Sequence, residues 1–247
     1  MPDAQGLSMP LDAQPSLIER ERRTWYRAIA SWSLRWYYRL SGKARYDAYR
    51  LESLHGLRIV VLPSVANPKV LRTGDFFAGA LGGSEVSADT RVLDLGTGSG
   101  VCALAAARHS RRVVAVDINT AAVRCARANA LLNALDHRVE VRHGDLFEAV
   151  AAERFDLVLF NPPFQLGEPR TPRDAAWRCA DLPTRFAAQL EAHLAPQGMA
   201  LLLLSSFGDA CARFETELRA RHFELRVFAT RRFVNETLTL LRVSRRA

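Results

Sequence analysis

The stretch RVLDLGTGSG, Arg91 to Gly100, decides how this chain is read. A short apolar run of β character, RVLDL, gives way to a glycine-rich turn, and VCALAAARH behind it reads as a helix. The same alternation continues outward: RVVAVD is a strand, NTAAVRCARANALLN a helix, VEVRHGD a strand and FDLVLFN another. Continuous apolar runs such as VVAV, separated by helical stretches, are the βαβ signature of a parallel sheet covered on both faces. The fold expected is therefore α/β, a doubly wound and mostly parallel sheet. Further on, LPTRFAAQLEAHL adds a helix stopped by Pro196 and Gly198, and MALLLLSS adds a fifth strand. Two β-rich runs in ELRVFATRRFVNETLTLLRV are expected to pair as an antiparallel hairpin at the sheet edge. Asn119 or Thr120 is placed to cap the NTAAVRCARANALLN helix, with Asn133 near its end.

Upstream the text is different. Residues 1–15 are polar and proline-marked, the composition of a disordered tail. Residues 16–55 form an N-terminal helical segment, in which Trp25, Ile29, Trp32, Trp36 and Leu40 recur at spacings of three and four. That stripe must be buried, and a lid on the main domain is the favoured role; a membrane-surface or nucleic-acid-binding helix is the other. The main domain spans 56–247, opening with LRIVVLP as a strand or hairpin that leads to a helix near Phe76 to Leu81.

Composition bounds the rest. Half the chain is apolar (49%), enough for a sizeable core, and the net charge of +8 comes from a basic complement that is almost all arginine. Such charge suits an anionic macromolecular partner, RNA or an acidic protein, as well as a plain solvated surface. Cys102, Cys125, Cys179 and Cys211 stand far apart, with no histidine at ligand spacing, so neither a zinc site nor a disulfide framework is indicated. No leader-like start is present and MALLLL is too short to cross a bilayer, which reads as a cytoplasmic protein.

The chemistry gathers at the strand ends. In Asp94 to Gly100 the glycines let a ligand approach the backbone, and the helix behind offers unpaired N–H groups to an anionic substituent. The third glycine, Gly100, falls one residue early for the G-x-G-x-x-G dinucleotide fingerprint, which argues against a nicotinamide or flavin enzyme. Asp117 ends the next strand, where a carboxylate can accept from both hydroxyls of a ribose, and Asp145 ends the third, facing either an exocyclic amine or a helix start.

DLVLFNPPF, Asp156 to Phe164, closes the set. Pro162 and Pro163 have no N–H to donate, so they form a rigid turn with carbonyls available as acceptors. The Asn161 side-chain oxygen and the Pro162 carbonyl can accept the two hydrogens of a planar NH2 group, and Phe164 can stack on the plane that carries it. Arg170, Arg173 and Arg178 follow in a loop that can face the acceptor.

With these residues in place, VLDLGTGSG, VDIN and GDLFEAVAAERFDLVLFNPPF together resemble the class I S-adenosylmethionine-dependent methyltransferases. Within them the chain is similar to the branch with an Asn-Pro-Pro-aromatic corner, which includes glutamine methyltransferases of release factors and guanine amino-methyltransferases of ribosomal RNA. The resemblance covers about residues 90–205, and NETLTLLRV resembles the family's last strand. It implies a seven-stranded Rossmann-like fold, S-adenosyl-L-methionine as cofactor, and a cofactor site formed by Asp94, Gly96, Thr97, Gly98, Gly100, Asp117, Ile118, Asp145, Leu146 and Asn161. Gly96, Gly98 and Gly100 would line the methionine part, Asp117 would hold the ribose, and Asp145 would lie at the adenine. Asn161, Pro162 and Phe164 would be the catalytic set at the acceptor nitrogen. A protein or RNA substrate is favoured by charge, with a small-molecule acceptor and a non-catalytic RNA-binding module as the competing readings.

Overall fold

The computed structural model describes residues 49–168, 180–206, 208–234 and 236–246. The aromatic stripe from Trp25 to Leu40, Cys179 and the three loop arginines lie outside them. The described chain begins with a hairpin, β1 (Arg50–Leu54) and β2 (Leu57–Val61), so residues 50–54, counted above with the helical segment, are a strand. LRIVV thus pairs with the residues before it. After the hairpin come α1 (Thr73–Ala80), β3 (Arg91–Leu95), α2 (Val101–Ala107), β4 (Arg112–Asp117), α3 (Thr120–Leu132) and β5 (Val139–His143). The chain continues through β6 (Phe155–Phe160), α4 (Leu182–His193), β7 (Leu194–Ser205), α5 (Ala210–Ala220), β8 (Phe223–Arg232) and β9 (Thr237–Arg245).

The seven strands β3 to β9 form one sheet in the order β5-β4-β3-β6-β7-β9-β8, and only β9 runs against its neighbours. The expected doubly wound sheet and its antiparallel edge pair are both present. Alternating side chains divide the core in two. Val92, Val113, Ala115, Leu157 and Leu159 face a layer with α1, α2, α3 and the hairpin, whereas Leu93, Val114, Val116, Val158 and Phe160 face α4 and α5. A parallel strand covered on both faces has to be apolar at every position, hence the unbroken runs. One expected boundary moves: α4 ends at His193 and β7 starts at once, with Pro196 inside the strand. The proline is tolerated there because the β6–β7 register shifts between Phe155 and Leu157, where a ladder bond is already missing.

The hairpin is joined to the sheet by two asparagines one helical turn apart on α3. Asn129 Oδ1 accepts the Val60 N–H at 2.8 Å while Nδ2 donates to the Val60 carbonyl at 2.7 Å. Asn133 does the same for Arg58, at 3.0 and 2.7 Å. The open edge of β2 is therefore paired by a helix, because the carboxamide carries the same donor and acceptor as a peptide group. Asn129 also donates to the Ser99 carbonyl at 2.9 Å, so the hairpin, α3 and the glycine turn meet on one buried side chain. Asn129→Ala leaves the Val60 N–H and the two carbonyls without these partners, and should lower the unfolding free energy by about 2–4 kcal/mol in chemical denaturation. A loss under about 0.5 kcal/mol would show that the hairpin is not held in this way.

Candidate active site

Because β4 and β6 flank β3 on opposite sides, the strand order reverses at β3 and opens a crevice beyond its carboxyl end, where ligands of such sheets sit. The sequence-predicted residues converge there. Gly96 to Gly100 follow β3, Asp117 ends β4, Asp145 and Leu146 follow β5, and Asn161 to Phe164 follow β6.

The glycine turn is shaped by two buried carboxylates. Asp94 accepts from the Thr97 hydroxyl at 2.6 Å and from the Ala103 N–H at 3.0 Å. One N–H of the helix start is thus taken by Asp94 from below, which leaves fewer of the donors that the sequence reading assigned to an external anion. Asp117 accepts the Gly98 N–H and the Asn119 N–H, both at 2.8 Å, one on each oxygen. Gly96 and Gly98 have positive φ of 62° and 57°, and their backbone opens toward solvent. Gly100 is buried instead: at φ 84°, a Cβ there would stand 3.1 Å from Ala126 on α3. Its absent side chain lets α2 and α3 approach each other.

Around the carboxylates, Ile118 leaves an aliphatic side chain 59% exposed beside Asp117, while Leu146 is buried in a left-handed conformation. Asn119 caps α3 by accepting the Ala121 N–H at 2.9 Å, and its Nδ2 donates to the Ser64 carbonyl at 3.0 Å. Asp145 pairs with Arg185 of α4, Nη2 to Oδ2 at 2.5 Å, so one of its oxygens is committed within the protein. Sequence reasoning missed Arg185, which lies forty positions away on another layer; the helix-start alternative for Asp145 is replaced by this ion pair.

At the corner, Asn161 is half-buried and Pro162 buried. Asn161 Nδ2 donates to Thr73 Oγ1 of α1 at 3.3 Å. The Phe164 carbonyl accepts the Ala210 N–H at 3.0 Å, and the Leu166 N–H is held by Asp209 at 2.6 Å, so the turn before α5 fixes the corner from behind. Gly208 lies so close that a Cβ there would stand 2.4 Å from the Phe164 carbonyl oxygen. Thr73, Gly208 and Asp209 carried no local signal in the sequence. Their part in the site comes from the tertiary fold.

The profile of the Methyltransferase small domain family matches residues 75–223. The chain belongs to that family. Among curated relatives, the release factor glutamine methyltransferase of Xylella fastidiosa (strain 9a5c) is 48% identical over 80 residues, 32% of this chain and 29% of the relative. The tRNA1(Val) (adenine(37)-N6)-methyltransferase of Porphyromonas gingivalis (strain ATCC 33277) is 32% identical over 162 residues, 61% of this chain and 58% of the relative. The chain thus spans less than two thirds of each of these proteins. In three dimensions it is similar to the 16S rRNA N2 G1207 methyltransferase of T. thermophilus, with a TM-score of 0.59 and 24% identity, covering 81% of this chain and 50% of that one. This likeness establishes the Rossmann-like methyltransferase fold. Among the described residues, no helix is long and apolar enough to cross a membrane.

Burial pushes the Asp94 carboxyl up to about 7 from 3.8, against the opposing pull of the Thr97 and Ala103 hydrogen bonds. Burial raises Asp117 too, with the Asn119 and Gly98 N–H groups drawing it back. A carboxyl whose folded pKa is raised binds more protons when folded, so stability falls as pH climbs between the two values. The Asp94 contribution should therefore decline from about pH 4 to about pH 7, by on the order of 2–4 kcal/mol. Asp94→Asn should flatten that slope in denaturation curves taken across the range; an identical slope in the variant would assign it to other groups.

Proposed function

We propose that this chain transfers a methyl group from S-adenosyl-L-methionine to a planar nitrogen of a protein or RNA, a glutamine amide or the exocyclic amine of a nucleobase. The observation that carries the reading is the Asn161 carboxamide, whose nitrogen is engaged by Thr73 so that its oxygen is the atom turned to a donor. The named relatives act on a glutamine and on adenine N6, both planar nitrogens in NH2 groups.

The crevice fits the cofactor. Each Asp117 oxygen accepts one backbone N–H and keeps a lone pair for a ribose hydroxyl. Exposed Ile118 offers an apolar surface that a purine ring would cover, with Asp145 and Leu146 on the next strand end. Gly96 and Gly98 present backbone without side chains toward the methionine end. When bound, the cofactor supplies an electrophilic methyl on a sulfonium sulfur.

The protein's own part is positional. An amide or arylamine nitrogen is a poor nucleophile while its lone pair is delocalised into the plane. Acceptance of its two N–H bonds by Asn161 Oδ1 and the Pro162 carbonyl polarises them as positive charge develops, which favours the transition state over the ground state. Phe164, packed against both core layers, sets the plane by stacking. Holding the reactants as a near-attack pair supplies roughly 7–11 kcal/mol of barrier reduction, so the reaction does not depend on a strong base. The proton leaves to water or product after transfer.

The experiment is transfer of labelled methyl from S-adenosyl-L-methionine into an extract of the source organism, separated into RNA, protein and small molecules. Label should enter RNA or protein, and Asn161→Ala should lower the rate by about 100-fold or more while cofactor affinity stays nearly intact. Full turnover in that variant would remove Asn161 from the mechanism, and label confined to small molecules would overturn the macromolecular acceptor.

A further inference from the structure

Asn161 owes its place to β6, but a strand end does not fix the plane of a terminal carboxamide. Rotation about its last side-chain bond exchanges oxygen for nitrogen and turns an acceptor of N–H into a donor. The only side chain recorded against it among the described residues is Thr73, whose Oγ1 accepts from Nδ2 at 3.3 Å.

Thr73 is itself held tightly. It is the first residue of α1, 7% exposed, and it follows Arg72 in a left-handed conformation at φ 62° and ψ −19°, a backbone state that a non-glycine residue adopts only under constraint. That constraint can be traced. Asn67 Oδ1 accepts the N–H groups of Lys69 and Val70 at 3.0 and 3.1 Å, closing a turn around Pro68. Pro68 packs so close to Gly74 that a Cβ on Gly74 would stand 2.6 Å from the proline ring. The Arg72 guanidinium lies 4.1 Å from the centre of the Phe233 ring and 3.6 Å from Glu236, which pins the residue from the β8–β9 side. Three separate contacts therefore place one buried hydroxyl at the Asn161 amide.

Resting on the methyl-transfer reading, we infer that Thr73 is a positioning residue that holds the Asn161 carboxamide with Oδ1 toward the acceptor nitrogen. A hydroxyl can accept or donate, so the bond fixes the carboxamide plane, and the incoming N–H groups select the orientation present in the structure, with oxygen outward. The pre-core segment thereby contributes to the reaction without touching either reactant.

Two substitutions separate this role from packing. Thr73→Ser keeps the hydroxyl and loses a buried methyl; Thr73→Val keeps the shape and loses the hydroxyl. If Thr73 positions Asn161, Thr73→Val lowers kcat roughly three- to tenfold, the reach of one neutral hydrogen bond, with cofactor affinity unchanged, and Thr73→Ser retains most of the turnover. If Thr73 only fills space, the order reverses, with valine near wild type and serine impaired, and the inference is overturned. A second readout needs no turnover. The Asn161 side-chain amide pair in a nitrogen-15 spectrum, assigned by its loss in Asn161→Ala, should move in Thr73→Val and stay near its place in Thr73→Ser. An unmoved resonance in Thr73→Val would overturn the contact. Absence of methyl transfer by the unsubstituted chain counts against the proposed function alone, because the spectrum still reports on the hydrogen bond.

Discussion

The carboxylate of Asp117 is the constraint on which the site depends. One oxygen takes the N–H of Gly98 and the other that of Asn119, so a single side chain at the end of β4 sets the turn after β3 and the start of α3. Burial alone would favour its neutral form, and the two N–H bonds oppose that by preferring the anion. Asp94 does the same one strand away, joining the Thr97 hydroxyl to the first turn of α2. A glycine turn has little conformational preference of its own. These carboxylates supply it, and a cofactor arriving at the crevice meets a backbone already arranged.

The upstream segment extends this logic to the acceptor side. The hairpin is held by the carboxamides of Asn129 and Asn133, and Asn129 reaches the carbonyl of Ser99 inside the glycine turn. Residues 64–72 then bring α1 against Asn161. The hairpin and α1 therefore belong to the same core layer as α2 and α3, and the acceptor corner is built from both ends of the chain, since the Phe164 carbonyl is held by the start of α5.

Much of this was legible in the sequence because local rules decide it. Runs such as VVAV and LVLF specify strands buried on two faces, and the glycine turn, Asp117, Asp145 and Asn161 each stand where a strand must end. The crevice follows from that alternation. What escaped is tertiary. Arg185 pairs with Asp145 across forty positions, and Thr73 reaches Asn161 across eighty-eight, contacts that leave no periodic or motif signal. The helix N-terminus was read as open to a ligand, whereas Asp94 takes one of its donors, since the buried carboxylate has no water to turn to. Gly100, assigned to the cofactor by resemblance, also has a packing reason to lack a side chain.

The central claim is that the strand-end crevice holds S-adenosyl-L-methionine through Asp117. Calorimetric titration of the cofactor into the wild-type chain and into Asp117→Ala tests it directly, with a thermal melt to show that the variant is folded. The account predicts saturable one-to-one binding by the wild type and affinity at least about tenfold weaker in the folded variant, the loss expected for charge-assisted hydrogen bonds. Equal affinity in the two proteins, or no binding by the wild type, would contradict it.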